Sequence, residues 1–140
     1  MARNKILLRD AGHIELDGVY TGATRPGSLL ELTATGFRAE QTAGGQCIPA
    51  FARAQHENDG ADVDDNIPAQ DTGTALLCGN GCIVNAVTTD TIARGTWVES
   101  AGSGKVRAYG SGQRIGQAVS ASDLSGSVGR VEIIVCAAGL

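Results

Sequence analysis

The sequence predicts an all-β protein, a small β-barrel or β-sandwich built from nine or ten short strands. Three observations carry this. Short apolar runs, several with two-residue alternation, recur along the chain, bounded by glycine, proline or asparagine. Twenty glycines stand against three prolines, two Phe, two Tyr and one Trp, a composition of many tight turns around small aliphatic side chains. No stretch reads as a long helix, and no repeat of 20–50 residues is present.

Taken in order, residues 1–12 set Arg3, Lys5 and Arg9 around the aliphatic run Ile6, Leu7 and Leu8. Three consecutive aliphatics are wasted in a frayed terminus, so this stretch reads as an extended arm that contacts a neighbour, ahead of a single domain over 13–140. HIELDGVY, 13–20, alternates like a strand, and TGATRPG, 21–27, is a loop. SLLELT and FRAEQT form a hairpin across a short glycine-containing turn. CIPAFARA, 47–54, is a further strand in which Pro49 suits an edge or a strand start.

After Gly73, TALLC and CIVNAV flank Gly79-Asn80-Gly81, a turn signal strong enough to predict a hairpin with Cys78 and Cys82 on opposite arms. A single helical turn is expected over 88–94. TWVES and KVRAY make another hairpin around AGSG, with Trp97 expected in the core. RIGQAVS and RVEIIVCA close the chain.

Composition sets the outer limits. A chain of 140 residues with 42% hydrophobic residues fits one domain with a real core. Eleven Lys and Arg against fifteen Asp and Glu leave a net charge of -4, and no basic stripe suggests nucleic acid as a partner. The apolar runs are far shorter than the ~20 residues a membrane helix needs, and Ile6, Leu7 and Leu8 are too few for a secretory signal. The expectation is a soluble protein made in the cytosol.

One stretch stands apart. Over 51–73 a strand pattern turns acidic, and Glu57, Asp59, Asp62, Asp64, Asp65 and Asp71 follow one another with no Lys or Arg after Arg53. The segment 55–73 has neither helical nor strand periodicity, so it reads as one long acidic loop. Calcium is the first chemistry to test, because hard cations want several oxygens. Asp62-x-Asp64-x-Asn66 alternates correctly, but Ile67 stands where an EF-hand needs glycine and no bidentate Glu follows. Paired carboxylates for acid–base work need a pocket that clustering alone does not supply. A solvated or protein-contacting loop is the reading that remains.

Cys47, Cys78, Cys82 and Cys136 are open to three readings: buried free thiols, disulfides formed after release from the cell, or zinc ligands with His13 and His56. Their spacing matches no compact Cys/His pattern, and two histidines in loop or strand-edge positions give little basis for Cys–His catalysis. Gly102-Ser103-Gly104-Lys105 contains a Gly-Lys pair, but a phosphate-binding loop needs the full motif between a strand and a helix. No cofactor, metal or catalytic residue is expected.

The order of several short motifs resembles the small decoration, or cement, proteins of tailed-bacteriophage capsids. They are Pro26-Gly27-x-Leu29-Leu30-Glu31-Leu32, Ala50-Phe51-Ala52 before an acidic stretch, and Val63-Asp64-Asp65 leading to Ala69-x-Asp71. Then come Gly95-x-Trp97-Val98-Glu99-Ser100 with Gly104-Lys105-Val106, Ile115-Gly116-x-Ala118-Val119, and Arg130-Val131-Glu132-Ile133. Arg53-Ala54-Gln55-His56 departs from the Leu/Glu-rich segment usual in such proteins, and the four cysteines are not part of the pattern.

The resemblance implies a non-enzymatic, tulip-like β-domain on the outer capsid surface of a virion, synthesised in a bacterial host's cytoplasm. Its partners would be the major capsid protein and itself, as a homotrimer or, less favoured, a dimer, with no membrane and no direct nucleic acid. Contacts would come from Arg3, Lys5, Ile6, Leu7, Leu8 and Arg9 of the arm and from Asp59, Asp62, Asp64 and Asp65 of the loop. Cys47, Cys78, Cys82 and Cys136 would be available for cross-links. The alternatives are a receptor- or carbohydrate-binding β-module on the virion, for which the aromatic residues are few, and a metal-dependent enzyme.

Overall fold

Eleven strands, with no helix, make up the regular structure of the described residues, 5–55 and 64–136, in a computed structural model of the chain. They are β1 (Leu7–Arg9), β2 (His13–Val19), β3 (Leu30–Thr33), β4 (Gly36–Ala39), β5 (Ala50–Ala52) and β6 (Thr72–Cys78) in the first half. The second half adds β7 (Ile83–Val87), β8 (Trp97–Gly102), β9 (Lys105–Ala108), β10 (Gly116–Ala118) and β11 (Arg130–Val135). Six form one antiparallel sheet in the order β1-β7-β11-β10-β8-β9, three form a second in the order β2-β6-β5, and β3-β4 is a separate hairpin.

The two sheets share one ribbon. β1 pairs with β7 and β2 pairs with β6, so the span 7–19 runs antiparallel to 72–87 through both sheets. Leu7 lies opposite Val84 and His13 opposite Cys78, six residues on along each chain, so the register survives the change of sheet. The ribbon bends where Gly12 and Gly81 adopt φ of +104° and +99°, values that suit a residue without Cβ. Gly79 N–H donates to Gly12 O at 2.8 Å, and Ala11 N–H donates to Cys82 Sγ at 3.3 Å. The expected hairpin at Gly79-Asn80-Gly81 is therefore not formed. The glycines turn the chain from one sheet into the other, because β6 and β7 each have a longer-range partner to satisfy.

The main core fills the space between the sheets. Phe51, Leu76, Cys78 and Cys82 meet Val84, Val98, Ile115, Val131, Ile133 and Val135 there, with Leu29 and Ile6. A second, smaller cluster lies on the other face of β5 and β6, where Ala50, Ala52 and Ala75 pack under Leu30 and Phe37 of the hairpin, with Tyr20 and Ile67. The all-buried pattern of β5 follows from this: Phe51 points one way and its two alanines the other. Gly18 and Gly73, opposite each other on β2 and β6, let the second cluster close. A Cβ on Gly18 would meet the Phe37 ring at 2.8 Å, and one on Gly73 the Tyr20 ring at the same distance. The two rings meet edge-on with centroids 5.3 Å apart.

Other sequence expectations need correction. The arm boundary at residue 12 does not hold, since Ile6 is fully buried in the main core and β1 is a strand of the six-stranded sheet. Leu7 packs on that core, and Leu8 is the extra residue of a bulge between the Leu7–Val84 and Arg9–Ile83 pairs. No helical turn forms over 88–94. Trp97 is only half-buried, at the surface, where the Arg114 guanidinium lies 5.2 Å from its ring and 4.8 Å from that of Tyr109. The loop expected over 55–73 is shorter at its far end, because Thr72 and Gly73 already belong to β6.

Two buried carboxylates hold the loops at one end of the sandwich. Glu99, fully buried on β8, accepts from Arg107 at 2.7 and 3.0 Å, from Gly110 N–H at 2.6 Å and from Gly112 N–H at 3.1 Å. Glu40 accepts from Thr42 N–H at 2.8 Å and lies 3.2 Å from the Ser100 hydroxyl. Burial works to raise the Glu99 carboxyl, but the Gly110 N–H, the Arg107 guanidinium and the Gly112 N–H outweigh it and hold it below the ordinary carboxylate range. A lowered native value stabilises the fold above the unfolded value, and that contribution is lost as pH falls through the native one. Glu99→Gln should lower stability by about 2 kcal/mol, on the order of 6 °C in Tm. Thermal unfolding at a series of pH values should show this gap greatest near neutrality and shrinking in acid; a gap that is constant with pH would refute the role given to the charge.

Candidate interaction surface

β2, as long as its neighbour β6 at seven residues, is an edge of its sheet, and its polarity is the reverse of what a core strand needs. Its residues alternate, as HIELDGV promises, but the register fixes which set is covered. Ile14 lies opposite Leu77 and Leu16 opposite Ala75, on the face that carries the second cluster. The β3-β4 hairpin covers Ala75, Ala50 and Ala52 and stops short of β2's apolar row. Ile14 is thus 67% exposed and Leu16 40%, with Leu32, cross-strand from Phe37 on the hairpin, at 49%. The other face of β2 is polar: Arg53 reaches Glu15 at 2.6 Å, Thr74 donates to Asp17 at 2.8 Å, and His13 Nδ1 lies 2.9 Å from Asp10. The His13 hydrogen bond, then the Gly12 N–H, hold the Asp10 carboxyl below its ordinary range.

An open strand edge beside an apolar row is a ready template for a partner. Sequence reasoning missed it because alternation gives two faces without saying which is inside. The signal was present in Ile14-x-Leu16, one of the two faces of the alternating strand.

The residues singled out from sequence fall in different places. Lys5, ahead of β1, and Arg9, its last residue, are exposed, Leu7 and Leu8 are half-buried, and Ile6 is committed to this chain's own core. Arg3 lies outside the described residues, as do Asp59 and Asp62. Asp65 is exposed. Asp64 is held: its carboxylate takes Arg130 Nη2 at 2.9 Å, and its carbonyl accepts from Arg25 Nη1 at 2.7 Å. Arg130 also donates to Pro26 O at 2.6 Å, joining β11 to the segment before β3. Ile67, 1% exposed, exchanges backbone hydrogen bonds with Thr24 at 2.8 and 3.0 Å. The returning limb of the acidic stretch is therefore docked on the domain, not a solvated loop throughout.

All four cysteines are free thiols, and Cys47, Cys78 and Cys82 are buried. Burial, with the nearby Glu40 charge, pushes the Cys47 thiol up to about 11. Burial, then Cys82 beside it and Asp10, pushes Cys78 up to about 12. Such thiols hold very little of the nucleophilic thiolate at neutral pH. Cross-links to another chain through these three would first require the core to open; Cys136, half-buried, is the accessible one. Among the described residues no group of three or more His, Cys, Asp or Glu side chains is placed to hold a metal ion.

The arrangement of sheets is shared with a known protein. The fold matches the N-terminal base of head fiber gp8.5 of bacteriophage phi29 with a TM-score of 0.61, covering 89% of this chain and 95% of that one. This is a likeness of fold. Identity is 10%, too low to carry more than the architecture. No family model matches the sequence, and no curated protein matches it.

Native protein treated with a thiol-reactive maleimide at neutral pH should label at Cys136 alone, and in denaturant at all four cysteines. Peptide mapping that finds rapid native labelling of Cys47, Cys78 or Cys82 would contradict the burial described.

Proposed function

We propose that this chain is a non-enzymatic structural protein of a bacteriophage virion, bound to the outer surface of the capsid, where it cements neighbouring capsomers. The observation that carries the reading is the fold likeness to the phi29 head-fiber base over nearly the whole of both chains. The motif order that resembles capsid decoration proteins supports it from the sequence side. The apolar row of β2, and the exposed Leu32 on the β3-β4 hairpin, supply the kind of surface such a role needs. Small contacts of this type gain strength when several copies engage a symmetric shell at once.

In this reading the partners are the major capsid protein and further copies of the chain, with a homotrimer favoured over a dimer. Lys5, Leu8, Arg9 and Asp65 are the remaining exposed or half-exposed contacts of the sequence-derived set within the described residues. Removing residues 2–9 would strip Ile6 from the core, so point changes on the surface are the cleaner probe.

Replacing both Ile14 and Leu16 with Ser should cost about 1 kcal/mol of stability, because Ile14 is 67% exposed and Leu16 40%. Binding should weaken by at least about 1.4 kcal/mol, a tenfold loss, read as occupancy after co-sedimentation with expanded capsids of the phage that encodes the chain. Unchanged occupancy would remove this face from the account, and absence of the wild-type protein from sedimented capsids would end the capsid reading itself. The solution mass with and without reductant reports the oligomer: a trimer that persists in reductant is expected.

A further inference from the structure

A cleft of about 330 Å³ opens between the end of β7, the β8-β9 turn and the segments leading into β3 and β11. Its chemistry is opposite to that of the chain as a whole. The protein carries fifteen acidic residues against eleven basic ones, yet among the described residues Arg25 and Lys105 line the cleft and no Asp or Glu does. Ser28, Thr89, Ser103 and Asn66 line it as well.

These groups are presented, not merely nearby. Arg25 is steadied by donating one N–H to Asp64 O at 2.7 Å, and the Lys105 side chain has no ion pair among the described residues. Gly104 sits so close to the strand below that a Cβ there would meet Ser28 Cβ at 2.9 Å, which brings the turn and Ser28 together. Ser103 itself holds a left-handed backbone at φ +54°, a conformation that a residue with a side chain adopts at a cost and that strained functional positions share. Ser28 lines the cleft, and its hydroxyl has no hydrogen-bond partner among the described residues, which leaves it open to an occupant. The Ser103 and Thr89 hydroxyls and the Asn66 amide are likewise uncommitted among the described residues.

The geometry points to an oxyanion-binding site: the cleft takes a phosphate, sulfate or carboxylate group carried on a molecule of about monosaccharide size. Lys105 and Arg25 supply compensating charge, Lys105 as a point charge and Arg25 through its free N–H groups. The hydroxyls donate to the anion's oxygens or bond the hydroxyls of its carrier. The volume is at the lower end of ligand sites, which sets the size of the occupant. The Gly-Lys pair in the β8-β9 turn, which makes no phosphate loop of the strand–helix kind, contributes Lys105 to a different anion site.

Titration at low ionic strength, followed by amide chemical shifts, tests this with glucose 6-phosphate, glucuronate, glucose and inorganic phosphate as probes. Glucose 6-phosphate and glucuronate should bind in the millimolar range, shifting residues around the cleft, and glucose should not. Lys105→Met should weaken binding by about tenfold with Tm unchanged. Ser103→Gly, which suits the left-handed backbone, should raise Tm while weakening binding. Inorganic phosphate binding as tightly as glucose 6-phosphate would uphold the oxyanion site with the free ion as its occupant. No response to any anion, equal binding of glucose and its phosphate, or full binding by Lys105→Met would overturn the proposal.

Discussion

The bend in the ribbon at 10–12 and 79–82 is the constraint on which the rest of this structure depends. Two strands that stay paired while passing from one sheet to the other fix the distance and angle between the sheets in a single step. Cys82 is the pivot: its sulfur takes the Ala11 N–H, its own thiol lies 3.5 Å from Gly12 O, and its carbonyl accepts from Val135 N–H at 2.8 Å. A small, weakly polar side chain is the right one for such a place. A larger residue would separate the two bends, and a serine would bring a stronger hydrogen-bonding group into a fully buried position. Once the bend is set, β7 receives β11, and the remaining strands of the larger sheet follow by short antiparallel steps.

At one end of the sandwich, order in the loops comes from charge and not from apolar contact. Glu99 gathers two backbone N–H groups and Glu40 one, from loops that have few aliphatic residues of their own. In a chain with so many glycines, a buried carboxylate that collects amide donors does what a larger hydrophobic side chain does elsewhere. It also removes two negative charges from a surface that already carries an excess, and pairs one of them with Arg107.

The fold class was legible because glycine-bounded short runs have few alternatives, and the β3-β4 and β8-β9 hairpins follow directly from their turns. The Asn80-Gly81 turn was misread for a physical reason: a local turn signal states that the chain reverses or bends, and only non-local partners decide between them. Trp97 was placed inside on size alone, whereas Arg114 gives its ring a polar lid at the surface. The candidate surface was half-legible, since Ile14 and Leu16 were visible as one face of a strand but the extent of the hairpin that covers their neighbours was not. The cleft proposed to bind an oxyanion draws on residues from 23 to 129, and no linear pattern reports such a gathering.

The docked limb at Asp64 and Ile67 has a consequence for how this domain tolerates change. The stretch 56–63 begins after Gln55, which donates to Thr72 O at 3.2 Å, and ends at Asp64, clasped by Arg130 and Arg25. Arg130 also holds Pro26 O at 2.6 Å, so one side chain on β11 ties down both the acidic limb and the segment ahead of β3. A change at Arg130 would release at once two stretches that lie far apart in the sequence.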